Sequence, residues 1–164
     1  MKWRRARAED AEAIGRLSVD ILGELGEPPA IFAERIALCP EGCHVLASGA
    51  DILGHMISHP WVRGRPPALN QMLRHIPAGA DCWYIHEVAL REAARGRGCI
   101  RAILRQLADT AVAAGLPVMA LVAVANAVAY WQRLGFRPAP LAADGIDSHI
   151  GSYGGAAAYL EMEL

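Results

Sequence analysis

Lysine is almost missing from this sequence: Lys2 stands alone beside fifteen arginines. Arginine forks grip phosphate and carboxylate groups, but the same bias arises from genomic base composition, and the count alone supports either reading. An excess of one charge is missing too. The chain carries 16 basic and 17 acidic residues, a formal net charge of −1 and a pI of about 6.6, which argues against nucleic acid or an anionic membrane as partner. No apolar run reaches the roughly 20 residues that span a bilayer. There is no C-x-x-C pair. Cys39, Cys43 and His44 lie close together, but a fourth ligand at zinc-like spacing is lacking. No metal site is therefore expected, and Cys39, Cys43, Cys82 and Cys99 read as buried free thiols. With no signal peptide in view, the expected compartment is reducing and cytoplasmic. Internal repeats and low-complexity tails are absent.

What is present suits one domain spanning residues 1–164, with 54% hydrophobic residues to fill a core. Trp3 to Arg7 reads as a strand. From Glu9 the period changes, and Ile14, Leu17, Ile21 and Leu22 share a helical face. Gly23, Gly26, Pro28 and Pro29 break that helix before a second one over Ala30 to Leu38. Cys43–Ser48 and Ile52–Ser58 form a hairpin around Gly49-Ala50-Asp51. His59 to Ala80 holds Trp61, Pro66, Pro67 and Pro77, with a helical turn expected near Leu69 to His75. A segment this long between strands serves as a lid or partner surface, or else decorates the core. Trp61 and its proline-rich neighbourhood are the candidate surface for a homodimer.

Asp81 to Leu90 reads as a strand and Gly98 to Ala114 as a helix with Ile100, Ile103, Leu104, Leu107 and Ala111 on its buried stripe. The uniformly apolar run from Pro117 to Val124 suits a strand covered on both faces, so strand, helix and strand predict a parallel crossover. A helix over Ala127 to Leu134 stops at Gly135. Phe136 begins a strand, and Ala156 to Leu164 makes the last one.

Arg95-Gly96-Arg97-Gly98 lies where the strand ending at Leu90 gives way to a helix. A helix N-terminus exposes unpaired N–H groups and a partial positive charge. Glycines let a phosphate approach that backbone, and arginines add charge-assisted hydrogen bonds. The stretch therefore reads as an anion cradle for a pyrophosphate, or more plainly as a tight turn with solvated arginines. It is not G-x-G-x-x-G, because Arg101 stands at the third glycine position, and no G-K-[ST] follows to make a P-loop.

In "RRARAEDAEAIGRL", "HEVALREAARGRGCIRAILRQL" and "NAVAYWQRLGF", with their order and spacing, the chain resembles the GCN5-related N-acetyltransferase (GNAT) family over nearly its whole length. The resemblance implies an α/β fold. Its sheet would be mostly antiparallel with six or seven strands and about four flanking helices, and a parallel pair, here 82–90 and 117–124, would splay apart at its C-terminal end. Acetyl-CoA would be the co-substrate. The N–H groups of Gly96, Arg97, Gly98, Cys99, Ile100 and Arg101 would hold its pyrophosphate, with Arg95 at the family's Arg/Gln position. Main-chain groups of Val88, Ala89 and Leu90 would line the pantetheine cleft and offer the oxyanion donor, and Asn126 would touch the pantetheine arm or cap its helix. Ile100 stands where the family has Gly or Ala, so its side chain either crowds the phosphates or turns into the core.

Acyl transfer to an amine needs a base, an oxyanion donor and a proton for the leaving thiolate. Strand alternation puts Tyr84, His86, Val88 and Leu90 on one face and Ile85, Glu87 and Ala89 on the other. His86 is the first candidate base, with an unperturbed pKa near 6.5. Glu87 is the alternate, reached if a bulge swings it inward. Trp131 occupies the family's usual tyrosine acid position, which leaves the neighbouring Tyr130 or water to serve; Tyr153 and Tyr159 are further phenols without a placement. The implied function is an acetyl-CoA-dependent N-acyltransferase acting on a primary amine of a small molecule or peptide. The alternative is a non-catalytic acyl-CoA-binding or sensing module. Arg63, Arg65 and Arg74 lean towards an acceptor with a carboxylate.

Overall fold

The computed structural model describes residues 1–143 and 147–164. Seven strands form one sheet in the order β1-β2-β3-β4-β5-β7-β6. They are β1 (Lys2–Arg5), β2 (Cys43–Ser48), β3 (Asp51–Trp61), β4 (Cys82–Leu90), β5 (Val118–Ala123), β6 (Arg137–Pro138) and β7 (Ala158–Glu163). Every neighbouring pair is antiparallel except β4 and β5. The described helices are α1 (Ala11–Leu22), α2 (Pro29–Leu38), α3 (Cys99–Ala113), α4 (Val128–Arg133) and the short α5 (Asp147–Gly151). None is long and apolar enough to cross a membrane.

Helices cover both faces of the sheet, and their apolar stripes decide which. On one face Ile14 of α1 and Phe32 and Ile36 of α2 pack on Val45 and Ile57. On the other, Ile103, Leu104 and Leu107 of α3 pack on Met56, Trp83, Ile85 and Leu121. Consecutive residues Met56 and Ile57 point to opposite layers, as strand alternation requires. β5 is buried on both faces, as its apolar run predicts.

Two features of β3 and β4 depart from the sequence reading. β3 runs on to Trp61, because His59, Pro60 and Trp61 pair with Tyr84, Trp83 and Cys82. Pro60 is tolerated there because β2 stops opposite Ile57. The segment that follows, 62–81, is a strap without the expected helical turn near Leu69 to His75; Asn70 and Arg74 adopt left-handed backbone angles, at φ 59° and 68°. Trp61 packs on a cluster containing Cys82, Tyr84 and Tyr159, and its Nε1 donates to Arg65 O at 2.7 Å, so its indole is satisfied within the chain.

The second departure is a bulge. Ile57 pairs with Glu87, yet Ser58 pairs with Ile85, leaving His86 without an opposite residue. A bulge reverses the side-chain parity beyond it. Tyr84, His86 and Glu87 therefore all face the α1/α2 layer, while Val88 joins Ile85 in the α3 layer. Plain alternation put Val88 with His86 and Glu87 with Ile85; the register with β3 overturns both assignments.

Candidate active site

β4 and β5 pair only over Trp83–Ile85 and Met119–Leu121. Past Ile85, β4 carries on to Leu90 with no strand on that side. A cavity of 210 Å³ opens in this gap, bounded by residues 85–88 of β4, Leu121 and Val122 of β5, and Trp131 of α4. Asn126 stands exposed at its edge and caps neither its own turn nor α4 through its side chain.

A second cleft, of 510 Å³, runs from Val88, Ala89 and Leu90 to the start of α3. The sequence dictates its shape. Gly96 and Gly98 sit at φ 70° and 73°, angles that side chains with a Cβ rarely adopt. Gly98 is the N-cap of α3, and no side chain caps that helix. A Cβ at either glycine would meet nothing within 4 Å, so the backbone lies open to the cleft. Arg95 Nε donates to Leu90 O at 3.0 Å, tying the loop to the strand end. Arg97 and Arg101 are exposed beside it. Cys99 is half-buried, and its carbonyl accepts from Trp3 Nε1 at 2.9 Å. Ile100 is half-buried, packing against two apolar clusters while also bordering the cleft. The two hollows share one residue, Val88.

Neighbours on α4 part company here. Trp131 is buried, with its ring edge-on to Phe136 at 5.3 Å, and borders the splay cavity. Tyr130 borders the glycine cleft instead. Burial raises its phenol pKa, against the opposing charges of Arg101 and Arg133.

The bulge brings His86 and Glu87 into one buried network. Glu87 Oε1 accepts from His55 Nε2 at 2.5 Å and Oε2 accepts from Ser18 Oγ at 3.1 Å. Ser18 Oγ in turn accepts the Glu27 N–H at 3.0 Å. His86 Nε2 donates to the Glu27 carboxylate in a pair sealed from solvent on both sides, and His86 Nδ1 has no partner. Burial pushes the Glu27 carboxyl upward, but the His86 contact and the Asn70 N–H at 2.6 Å hold it below the usual carboxylate range. His59 lies behind, its ring 6.2 Å from that of His86. Burial first, then the charges of His86 and Arg35, drop its pKa to about 3, so it is neutral, with Nδ1 donating to Pro60 O. Tyr153 closes the cavity from the strap side; its hydroxyl donates to Pro67 O at 2.8 Å and accepts from Tyr84 at 3.4 Å.

The sequence-predicted residues thus gather around two neighbouring hollows. Glu27, Ser18 and His55 join them without having been singled out, and Tyr153, noted only as a phenol without a placement, joins them too. Glu27 left one signal, an acid in the Gly-Pro-rich break between α1 and α2; Ser18 and His55 carried none. The strap arginines do not gather at the cavity. Arg63 binds Glu161 at 2.6 Å, and its backbone N–H donates to Asp81.

The chain resembles several solved structures at low identity, which shows a shared fold. One, a GphF GNAT-like decarboxylase in complex with isobutyryl-CoA, superposes with a TM-score of 0.78 at 15% identity, covering 99% of each chain. Another, the loading GNATL domain of CurA from Lyngbya majuscula, gives 0.75 at 13% identity over 99% of this chain and 96% of that one. Chaetomium thermophilum Naa20 in complex with a bisubstrate analogue gives 0.71 at 18% identity over 100% and 87%. No curated protein sequence matches. A model of the acetyltransferase (GNAT) family matches residues 9–136, a span that holds the bulged strand, the glycine cradle and α4, and the chain belongs to that family.

Proposed function

We propose that this chain is an acetyl-CoA-dependent N-acyltransferase that moves an acetyl group onto the primary amine of a small molecule or peptide. One observation carries the reading: β4 leaves β5 after Ile85, next to a glycine turn that starts a helix no side chain caps, and Val88 lines the hollows on both sides. Relatives in fold are solved with isobutyryl-CoA or with CoA. Acetyl-CoA supplies the activated acyl thioester.

The chain's own residues do the rest. The amides of Gly96 to Arg101 hold the pyrophosphate, with Arg97 and Arg101 screening its charge. Arg95 keeps the cradle against the end of β4. Main-chain groups of Val88 and Leu90, free of a β5 partner, hold the pantetheine as an added strand, and Asn126 steadies its arm. The amide of Val88 or Ala89 faces the developing oxyanion. Glu87 takes the amine proton at the cavity wall, held by His55 and Ser18. His86 takes second place as base because its ring is sealed from solvent and Nε2 is committed to Glu27. Tyr130 borders the coenzyme cleft and returns a proton to the leaving thiol.

Thiol release from acetyl-CoA, followed with an amine panel, tests the reading. Glu87→Gln should lower kcat by about 100-fold or more with little change in the Michaelis constant for acetyl-CoA, and His86→Gln should cost less. If acetyl-CoA binds while no amine provokes thiol release, the chain is a binding module.

A further inference from the structure

We infer that the acceptor is a small apolar primary amine with no second charged group; the inference rests on the transfer reading above. Val88 lines both the coenzyme cleft and the splay cavity, so the thioester is placed on that side and the far walls are assigned to the acceptor. Those walls are Leu22 at the end of α1, Leu25 in the turn beyond it, Leu69 on the strap, and Tyr153. Most polar groups around the cavity are already committed, the exceptions being the buried His86 Nδ1 and the exposed Asn126 at the rim. The Tyr153 hydroxyl donates to Pro67 O. His86 Nε2 is bound to Glu27. Among the described residues Glu87 is the single carboxylate on the cavity wall, and it is needed for the reacting nitrogen.

A second ammonium on the acceptor would therefore face leucines with no counter-charge, and burying an unpaired charge is strongly unfavourable. A carboxylate fares no better, because no arginine or lysine borders the cavity among the described residues. An apolar body gains instead from leaving water. The modest 210 Å³ of the cavity suits a small molecule over a peptide with its string of amides.

Hexylamine, 1,6-diaminohexane and 6-aminohexanoate share one chain and differ only at the far end. With acetyl-CoA saturating, kcat/KM for hexylamine should exceed that of the other two by about ten-fold or more. Equal or better turnover of the diamine or the amino acid would overturn the inference and leave the transferase reading standing. So would a peptide with an apolar first residue outrunning hexylamine. No thiol release with any acceptor, while acetyl-CoA still binds by calorimetry, would sink both. Leu25→Asp supplies the missing anion and should move the diamine-to-monoamine ratio about ten-fold towards the diamine; an unchanged ratio would remove Leu25 from the acceptor wall.

Discussion

Several buried polar side chains of this protein keep their character only because the fold excludes water. His44 and His59 show it most plainly. Burial, with Arg5 nearby, lowers the pKa of His44 to about 4, and Gln106 donates to its Nε2 at 3.0 Å. His59 falls to about 3. In the unfolded chain both return to about 6.5. Between these values the unfolded chain binds the protons that the folded one refuses, so stability is full above pH 6.5 and declines as pH falls through the window. Urea midpoints measured from pH 7 to pH 4 should drop accordingly. His44→Leu keeps the bulk and leaves the exposed Gln106 amide to water, and should remove about one proton of slope, near 1.4 kcal/mol per pH unit. An unaltered slope would mean that His44 is not held neutral.

Among the elements, the strap is the one with least regular structure of its own, and side chains of α2 hold it down. Glu34 Oε1 accepts the Leu73 N–H at 2.7 Å and Oε2 accepts the Arg74 N–H at 2.9 Å. The same carboxylate pairs with Arg35, which is fully buried and reaches Gln71 O at 2.8 Å. Glu34→Ala strands a buried guanidinium and frees two strap amides. It should cost about 3–5 kcal/mol and open residues 62–81 to protease first, whereas Glu34→Gln should lose less. Destabilisation under 1 kcal/mol in the alanine variant would show that the strap is anchored elsewhere. These contacts also mark where sequence reading stops. α1, α3 and β5 were legible because an apolar stripe or run reports the burial of the element that carries it. The glycine turn before α3 was legible because Gly96 and Gly98 lie close together just ahead of an apolar helical stripe. The bulge at His86 was foreseen as a way to move Glu87, but its position was not, because register is set by pairing with β3 and leaves no mark on β4 itself. Glu27 stayed hidden because its partner His86 is 59 positions away, and neither residue type announces the other.

For the molecule as a whole, the sheet is the frame that lets one strand serve two hollows, and α3 supplies the second of them. If the open amides at its start grip a diphosphate, coenzyme A binds the folded chain and not the unfolded one, and stability must rise by mass action. At one hundred times the dissociation constant the gain is about 2.7 kcal/mol, which for a chain of this size is a rise in Tm of about 5–10 °C. Gly98→Val separates the cradle from the rest. Gly98 sits at φ 73° with open space where a Cβ would go, so valine brings about 1–2 kcal/mol of backbone strain and projects a branched side chain into the place assigned to the phosphates. Its Tm should fall without ligand, and coenzyme A should no longer raise it. Gly98→Ala carries the same backbone strain with far less bulk, and should keep part of the ligand-induced rise; that difference tells strain from obstruction. A valine variant that still gains the full shift from coenzyme A would mean that the diphosphate is held somewhere other than the start of α3, and the path from cradle through Val88 to Glu87 would lose its first step.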